Sequence, residues 1–172
     1  MIFKRLKKKS NQKYLNKNLN NRKPLVDDSI IQSVGVILNN NEFRDADQLL
    51  SLLRSIDIKE NKIKFITLID DHESRPNSWD AYFYPENFKW KGKIEGADLT
   101  DFVNEPFDVL ISYYQINQLE LHLATTLSKA KFKIGISNVD ERLHDLIISI
   151  DPNQVEIFKK ELLKYLKVFN KI

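Results

Sequence analysis

Residues 34–38 read Val-Gly-Val-Ile-Leu, an apolar run with no polar alternation, closed at once by Asn39-Asn40-Asn41. A strand with one face in water alternates. An unbroken run of this length is therefore a strand covered on both faces, the condition of a parallel sheet held between two layers of helices. The same pattern returns at Ile63–Ile69, at Phe107–Ser112, at Phe132–Ile136 and at Leu146–Ile150. Between these runs the period changes from continuous to helical. Ala46, Leu49, Leu50 and Leu53, with Ile56 beyond, predict a helix over 43–56, and Leu119, Leu123, Thr126 and Leu127 predict another over 117–128. A short helix is expected from Asp98 to Asn104 ahead of Pro106, and a turn or short helix around Val139 to His144. Asp151 reads as an N-cap and Pro152 as the first residue of a final helix with Val155, Phe158, Leu162, Tyr165, Leu166 and Phe169 on its buried stripe. Strands alternating with helices in this order are right-handed βαβ units. The expected fold is a single Rossmann-like, three-layer α/β domain over residues 25–172, with about five mainly parallel strands.

Residues 1–24 differ in kind. Nine cations (Lys4, Arg5, Lys7, Lys8, Lys9, Lys13, Lys17, Arg22 and Lys23) stand among the first 23 residues without one acid, whereas the rest of the chain holds 18 basic and 24 acidic residues. The formal net charge of +3 thus hides a +9 segment joined to a −6 body, and only the segment can hold a polyanion. Its asparagines disfavour helix, while Ile2, Phe3, Leu6, Tyr14, Leu15 and Leu19 leave a sparse apolar stripe. A separate basic arm is expected, flexible or helical and mostly disordered by itself. RNA or a ribonucleoprotein such as the ribosome is the expected partner, gripped through phosphates, with Tyr14 or Phe3 stacking on a base. An anionic membrane surface is the alternative, with Ile2, Phe3 and Leu6 dipping below the headgroups.

Much familiar chemistry is excluded by composition. The chain has no cysteine, hence no disulfide, thiolate zinc site or cysteine nucleophile, and its four glycines are too far apart for a phosphate-binding loop. No cofactor and no metal site is expected. No apolar run is long enough to span a bilayer, and residues 1–10 lack the apolar stretch of a secretory signal, so a cytoplasmic location is expected, with a peripheral position at the inner face of the membrane as the alternative.

In a parallel sheet ligands bind beyond the carboxyl ends of the strands. That rule nominates Asn39, Asn41, Glu42, Asp70, Asp71, Tyr113, Tyr114, Ser137 and Asn138 as a strand-end pocket for a sugar or nucleotide, with Glu42 or Asp71 as base. Asp70-Asp71-His72-Glu73 is the densest set of hard ligands, but consecutive residues seldom converge on one ion, and a solvated turn is the expected reading. His122 reads as a partly exposed helix residue and His144 as isolated, and no catalytic triad can be assembled. The aromatic stretch 79–90 (Trp79, Tyr82, Phe83, Tyr84, Phe88, Trp90), flanked by Lys89, Lys91 and Lys93, reads as core packing ahead of a stacking platform. A non-catalytic binding or accessory protein is the expected function.

Phe-Asp-Val-Leu-Ile-Ser-Tyr-Tyr (107–114), the following helix and Leu-Ser-Lys-Ala-Lys-Phe-Lys-Ile-Gly-Ile-Ser (127–137) resemble the acceptor-side half of heptosyltransferase-type glycosyltransferases. The resemblance implies a Rossmann-like fold. Those enzymes use a second domain of similar size and a glycine-acid turn after the first strand, where this chain has Asn39-Asn40-Asn41-Glu42. Over nearly the whole length, through the Lys-rich start, Trp90-x-Gly92-Lys93-Ile94, the two segments just quoted and the Leu-Lys-Tyr-Leu-Lys close (163–167), the chain is similar to an uncharacterised Bacteroidota family of short α/β proteins. That resemblance implies kinship and no activity.

Overall fold

A computed structural model describes residues 1–25, 27–75 and 80–172; Trp79, named above in the aromatic stretch, lies outside the described residues. Among the described residues six strands form one sheet: β1 (Val34–Asn39), β2 (Ile63–Leu68), β3 (Ala81–Phe83), β4 (Val109–Tyr113), β5 (Phe132–Gly135) and β6 (Leu146–Ile147). Their order is β3-β2-β1-β4-β5-β6 and every pairing is parallel, with Val36 opposite Phe65 on one side and Ile111 on the other. The α/β expectation holds. The sixth strand is β3, three residues inside the aromatic connection.

All six residues of β1 are buried because successive side chains enter opposite cores. Val34, Val36 and Leu38 meet α2 (Ala46–Arg54) and α5 (Val155–Val168) through Leu49, Leu53, Phe158 and Leu162. Ile37 faces the other layer, with α3 (Ala97–Asn104) and α4 (Leu119–Leu127) supplying Leu99, Phe102, Leu121 and Leu123. Phe107, just before β4, lies over Gly35, and a Cβ there would collide with its ring.

Several boundaries differ from expectation for local reasons. Asp45 is the N-cap of α2, accepting from the Gln48 amide at 3.1 Å, so the helix begins after Phe43 rather than at it. α5 starts at Val155, not at Pro152. Asp151 instead organises a turn, accepting from the Asn153 amide, while the Pro152 carbonyl takes the Tyr113 hydroxyl at 2.7 Å. β6 stops after two residues, although Ile148 still donates to Gly135 and is buried.

The largest correction concerns the amino-terminal segment. It is not a separate arm: residues Ile2–Asn20 form a 19-residue helix, α1, packed across the outer side of α4. Asn11, Leu15 and Leu19 are buried, at a spacing that puts them on one face. This explains α4, six of whose nine residues are buried: the sheet covers one side and α1 the other.

Candidate functional site

At the strand ends four of the expected pocket residues, Asn39, Asn41, Glu42 and Asp70, come together and bond one another. Glu42 Oε1 accepts from the Gln115 and Ile116 amides at 2.9 and 3.1 Å, and its Oε2 accepts from Asn39 Nδ2 at 3.2 Å. Asn39 Oδ1 accepts from the Asn41 amide, and Asn41 Nδ2 and Gln118 Nε2 donate to the two oxygens of Asp70 at 2.7 and 2.8 Å. Ser137 Oγ reaches the Gln115 carbonyl at 3.5 Å, and Asn138 is exposed. The Glu42 carboxylate therefore sits on the amides that would otherwise face an anion at the centre of the sheet.

The two tyrosines leave the set. Tyr113 and Tyr114 are 0 % and 3 % exposed because both faces of β4 are covered, so successive side chains enter opposite cores. Tyr114 shares a hydrogen bond with Thr125 at 2.7 Å, and burial pushes both hydroxyls well above the ordinary phenol range. The acidic turn diverges. Asp70 turns to Asn41 and Gln118, Asp71 accepts from the Glu73 amide, and His72 turns away to Glu86 at 2.8 Å while stacking on Tyr84. His122 is buried rather than partly exposed, since α1 covers its helix.

The basic segment separates into three groups once α1 is docked. The buried face is held by Leu15, Leu19 and a polar latch, the Gly92 amide donating to Asn11 Oδ1 at 3.0 Å. Arg22 closes this face with a 2.6 Å pair to Asp145, both largely buried, and Arg142 reaches Asn16 and Asn20 from the neighbouring turn. Arg22 is thus structural among the nine cations. A second face carries Arg5, Lys9, Lys13 and Lys17, all exposed and four residues apart, a row climbing about 6 Å per step along the helix. Lys23 is exposed beyond the helix end. The third group, Lys4, Lys7 and Lys8 with Phe3 at its end, continues the buried side toward the amino terminus and looks across a groove of about 640 Å³ toward Glu86, Trp90 and the start of α4.

Gly92 fixes the far wall of that groove to α1. It has φ 68°, and a Cβ would run into the Tyr14 ring. Gly92→Ala is expected to destabilise the fold by about 2 kcal/mol through backbone strain and the displaced ring, read as a lowered urea midpoint.

The aromatic stretch divides accordingly. Phe83 and Phe88 are fully buried and Tyr82 is buried, whereas Trp90 is 46 % exposed on the groove wall. Among the described residues no helix is long and apolar enough to cross a membrane. No curated protein and no solved structure matches the chain. Residues 7–169 match DUF6913, a family of unknown function, and at that coverage the chain belongs to this family.

Proposed function

We propose that the protein is a non-catalytic RNA-docking module of the cytoplasm, and that the outward face of α1 holds RNA, free or within a ribonucleoprotein, by its phosphates. The observation that carries this is the row Arg5, Lys9, Lys13 and Lys17. Like charges four residues apart destabilise a helix, and cations in its first turns oppose its dipole. α1 has both faults and no acid to offset them. A polyanion along the row removes both, and the docked face keeps the helix formed without it.

A membrane surface is the second reading, favoured by the exposed Met1, Ile2, Phe3 and Leu6. These cover only the helix tip. The remaining large apolar residues of α1 face the body, so the helix has no apolar side to lay on lipid. A sugar-nucleotide site at the strand ends is supported less, because Glu42 there already accepts three hydrogen bonds.

Fluorescence anisotropy with a single-stranded RNA oligomer tests the reading. Replacing Arg5, Lys9, Lys13 and Lys17 together by Gln should reduce the slope of log affinity against log salt by about 3, at about 0.7 per phosphate contact. Over a fourfold rise in salt, those four contacts account for about a fiftyfold loss. An unchanged slope, or binding to anionic vesicles that RNA does not compete away, overturns the reading.

A further inference from the structure

The groove beneath the amino-terminal half of α1 has features that the cation row lacks. Lys4, Lys7 and Lys8 share one face of the helix, at spacings of three and four, and line the cavity of about 640 Å³ opposite Trp90. That volume lies within the range of small-molecule sites.

Trp90 sits on a fixed turn. Its turn is closed by the Lys93 amide on the Trp90 carbonyl at 3.2 Å and the Lys89 amide on the Lys93 carbonyl at 2.8 Å. The Gly92 latch to Asn11 then ties the turn to the helix that carries the lysines. The backbones that carry the indole and the cations are therefore positioned against each other before any ligand arrives, which lowers the entropy cost of binding. The floor is the start of α4, whose N-cap Gln118 makes no side-chain cap bond and spends its amide on Asp70. Among the described residues no side-chain cap covers the first turn of that helix, and the positive end of its dipole faces the groove there.

Charge limits what can enter. Three lysines face Glu86 and Glu120, so the lining is net +1, which balances a phosphodiester, comes within one charge of a terminal monophosphate of about −2 and is poorly matched to a triphosphate. The carboxylates accept only, and suit ribose hydroxyls and base amino groups.

We propose that this groove is a nucleotide pocket: it takes one nucleoside monophosphate unit, base stacked on Trp90 and phosphate among Lys4, Lys7 and Lys8. The unit is either a free 5′-monophosphate or one nucleotide of a single strand whose backbone runs along the row. The second source rests on the RNA-docking reading; the first does not.

Calorimetry on the full chain, with adenosine, cytidine, guanosine and uridine 5′-monophosphates, their nucleosides, adenosine triphosphate and inorganic phosphate, tests the pocket. At least one monophosphate should bind tenfold or more tighter than both its nucleoside and inorganic phosphate, with the triphosphate no tighter. Trp90→Ala should weaken the monophosphate about tenfold or more, and Trp90→Phe, which keeps an aromatic face, should hold it within a few-fold of the wild type. Lys7→Gln should weaken it as well, and urea midpoints of all three variants will show that each is folded. Equal binding of monophosphate by wild type and a folded Trp90→Ala overturns the pocket, as does inorganic phosphate binding as tightly as the nucleotide.

The two proposals fail separately. With the Gln-substituted row, monophosphate binding should persist while the oligomer's salt slope falls. If the wild type binds oligomer but no monophosphate, and Trp90→Ala leaves oligomer affinity unchanged, the pocket is wrong and RNA docking stands. If it binds monophosphate but no oligomer, the pocket stands as a free-nucleotide site and RNA docking is wrong.

Discussion

A chain that begins at Leu25 is expected not to fold. Removing α1 and the residues after it takes Leu15 and Leu19 out of the core, and each buried leucine is worth about 2.7–5 kcal/mol. It also breaks the Arg22–Asp145 pair and uncovers the apolar side of α4. The two leucines alone reach about 5 kcal/mol or more, which is already within the range of the whole stability of a domain. The shortened chain should show no cooperative urea transition, and its exposed α4 face should bind an apolar dye. The single substitution Leu15→Ala should lower stability by about 3 kcal/mol and leave a cooperative transition. If the chain from Leu25 unfolds with the wild-type midpoint, α1 does not belong to the core. The practical consequence is that the polyanion reading is tested by charge substitutions in the full chain and not by deletion.

Acid should destabilise the protein well before its carboxylates protonate, and His144 is the reason. Its ring is buried against Gly135, 9 % exposed, with no hydrogen-bond partner for either nitrogen among the described residues. Burial, then the Arg22, His122 and Lys133 charges, push it down to about 3, against the partial opposition of Asp140. Between pH 3 and 6.5 the unfolded chain takes a proton there and the folded chain does not, so stability is complete above pH 6.5 and falls as pH drops below it. The slope approaches about 1.4 kcal/mol per pH unit, or roughly 2–3 kcal/mol between pH 7 and pH 4.5. His122, also lowered by burial, acts in the same direction. Asp108 and Asp140, whose carboxyls are lowered, lose their contributions only below about pH 4, so the windows separate. His144→Leu should flatten most of the slope between pH 4.5 and 6.5 in urea unfolding. An unchanged slope would count against burial as the cause.

Much of the architecture is legible along the chain because it rests on local pattern. Val34–Leu38 lacks alternation since both its faces are covered, and Ala46, Leu49 and Leu53 recur at helical spacing since α2 packs on one side of β1. These are properties of a strand or a helix taken by itself. β3 is not, because three residues carry no period and Ala81–Phe83 are a strand only by pairing with β2. α1 is a mixed case. Its own composition reads as a charged tail, but Leu119, Leu121, Leu123 and Ala124 fall on more than one side of α4, which a helix lying on a sheet does not need unless something covers it. That was the available signal for the docking of Leu15 and Leu19.

The site divides along the same line. The sequence by itself determined a +9 segment on a −6 body, five unalternating runs and four stretches of helical period, and the absence of cysteine and phosphate-loop chemistry, all of which follow from residue type and spacing of a few positions. Tertiary structure alone decided which of the nine cations are available, because that depends on the face α1 turns to α4: Arg22 goes to Asp145, Arg5, Lys9, Lys13 and Lys17 face outward, and Lys4, Lys7 and Lys8 meet Trp90 across a groove. It also decided that Glu42 is a strap and not a free base. Its partners, the Gln115 and Ile116 amides, lie more than seventy positions away and come within hydrogen-bonding reach only because β1 and β4 are neighbours in the sheet.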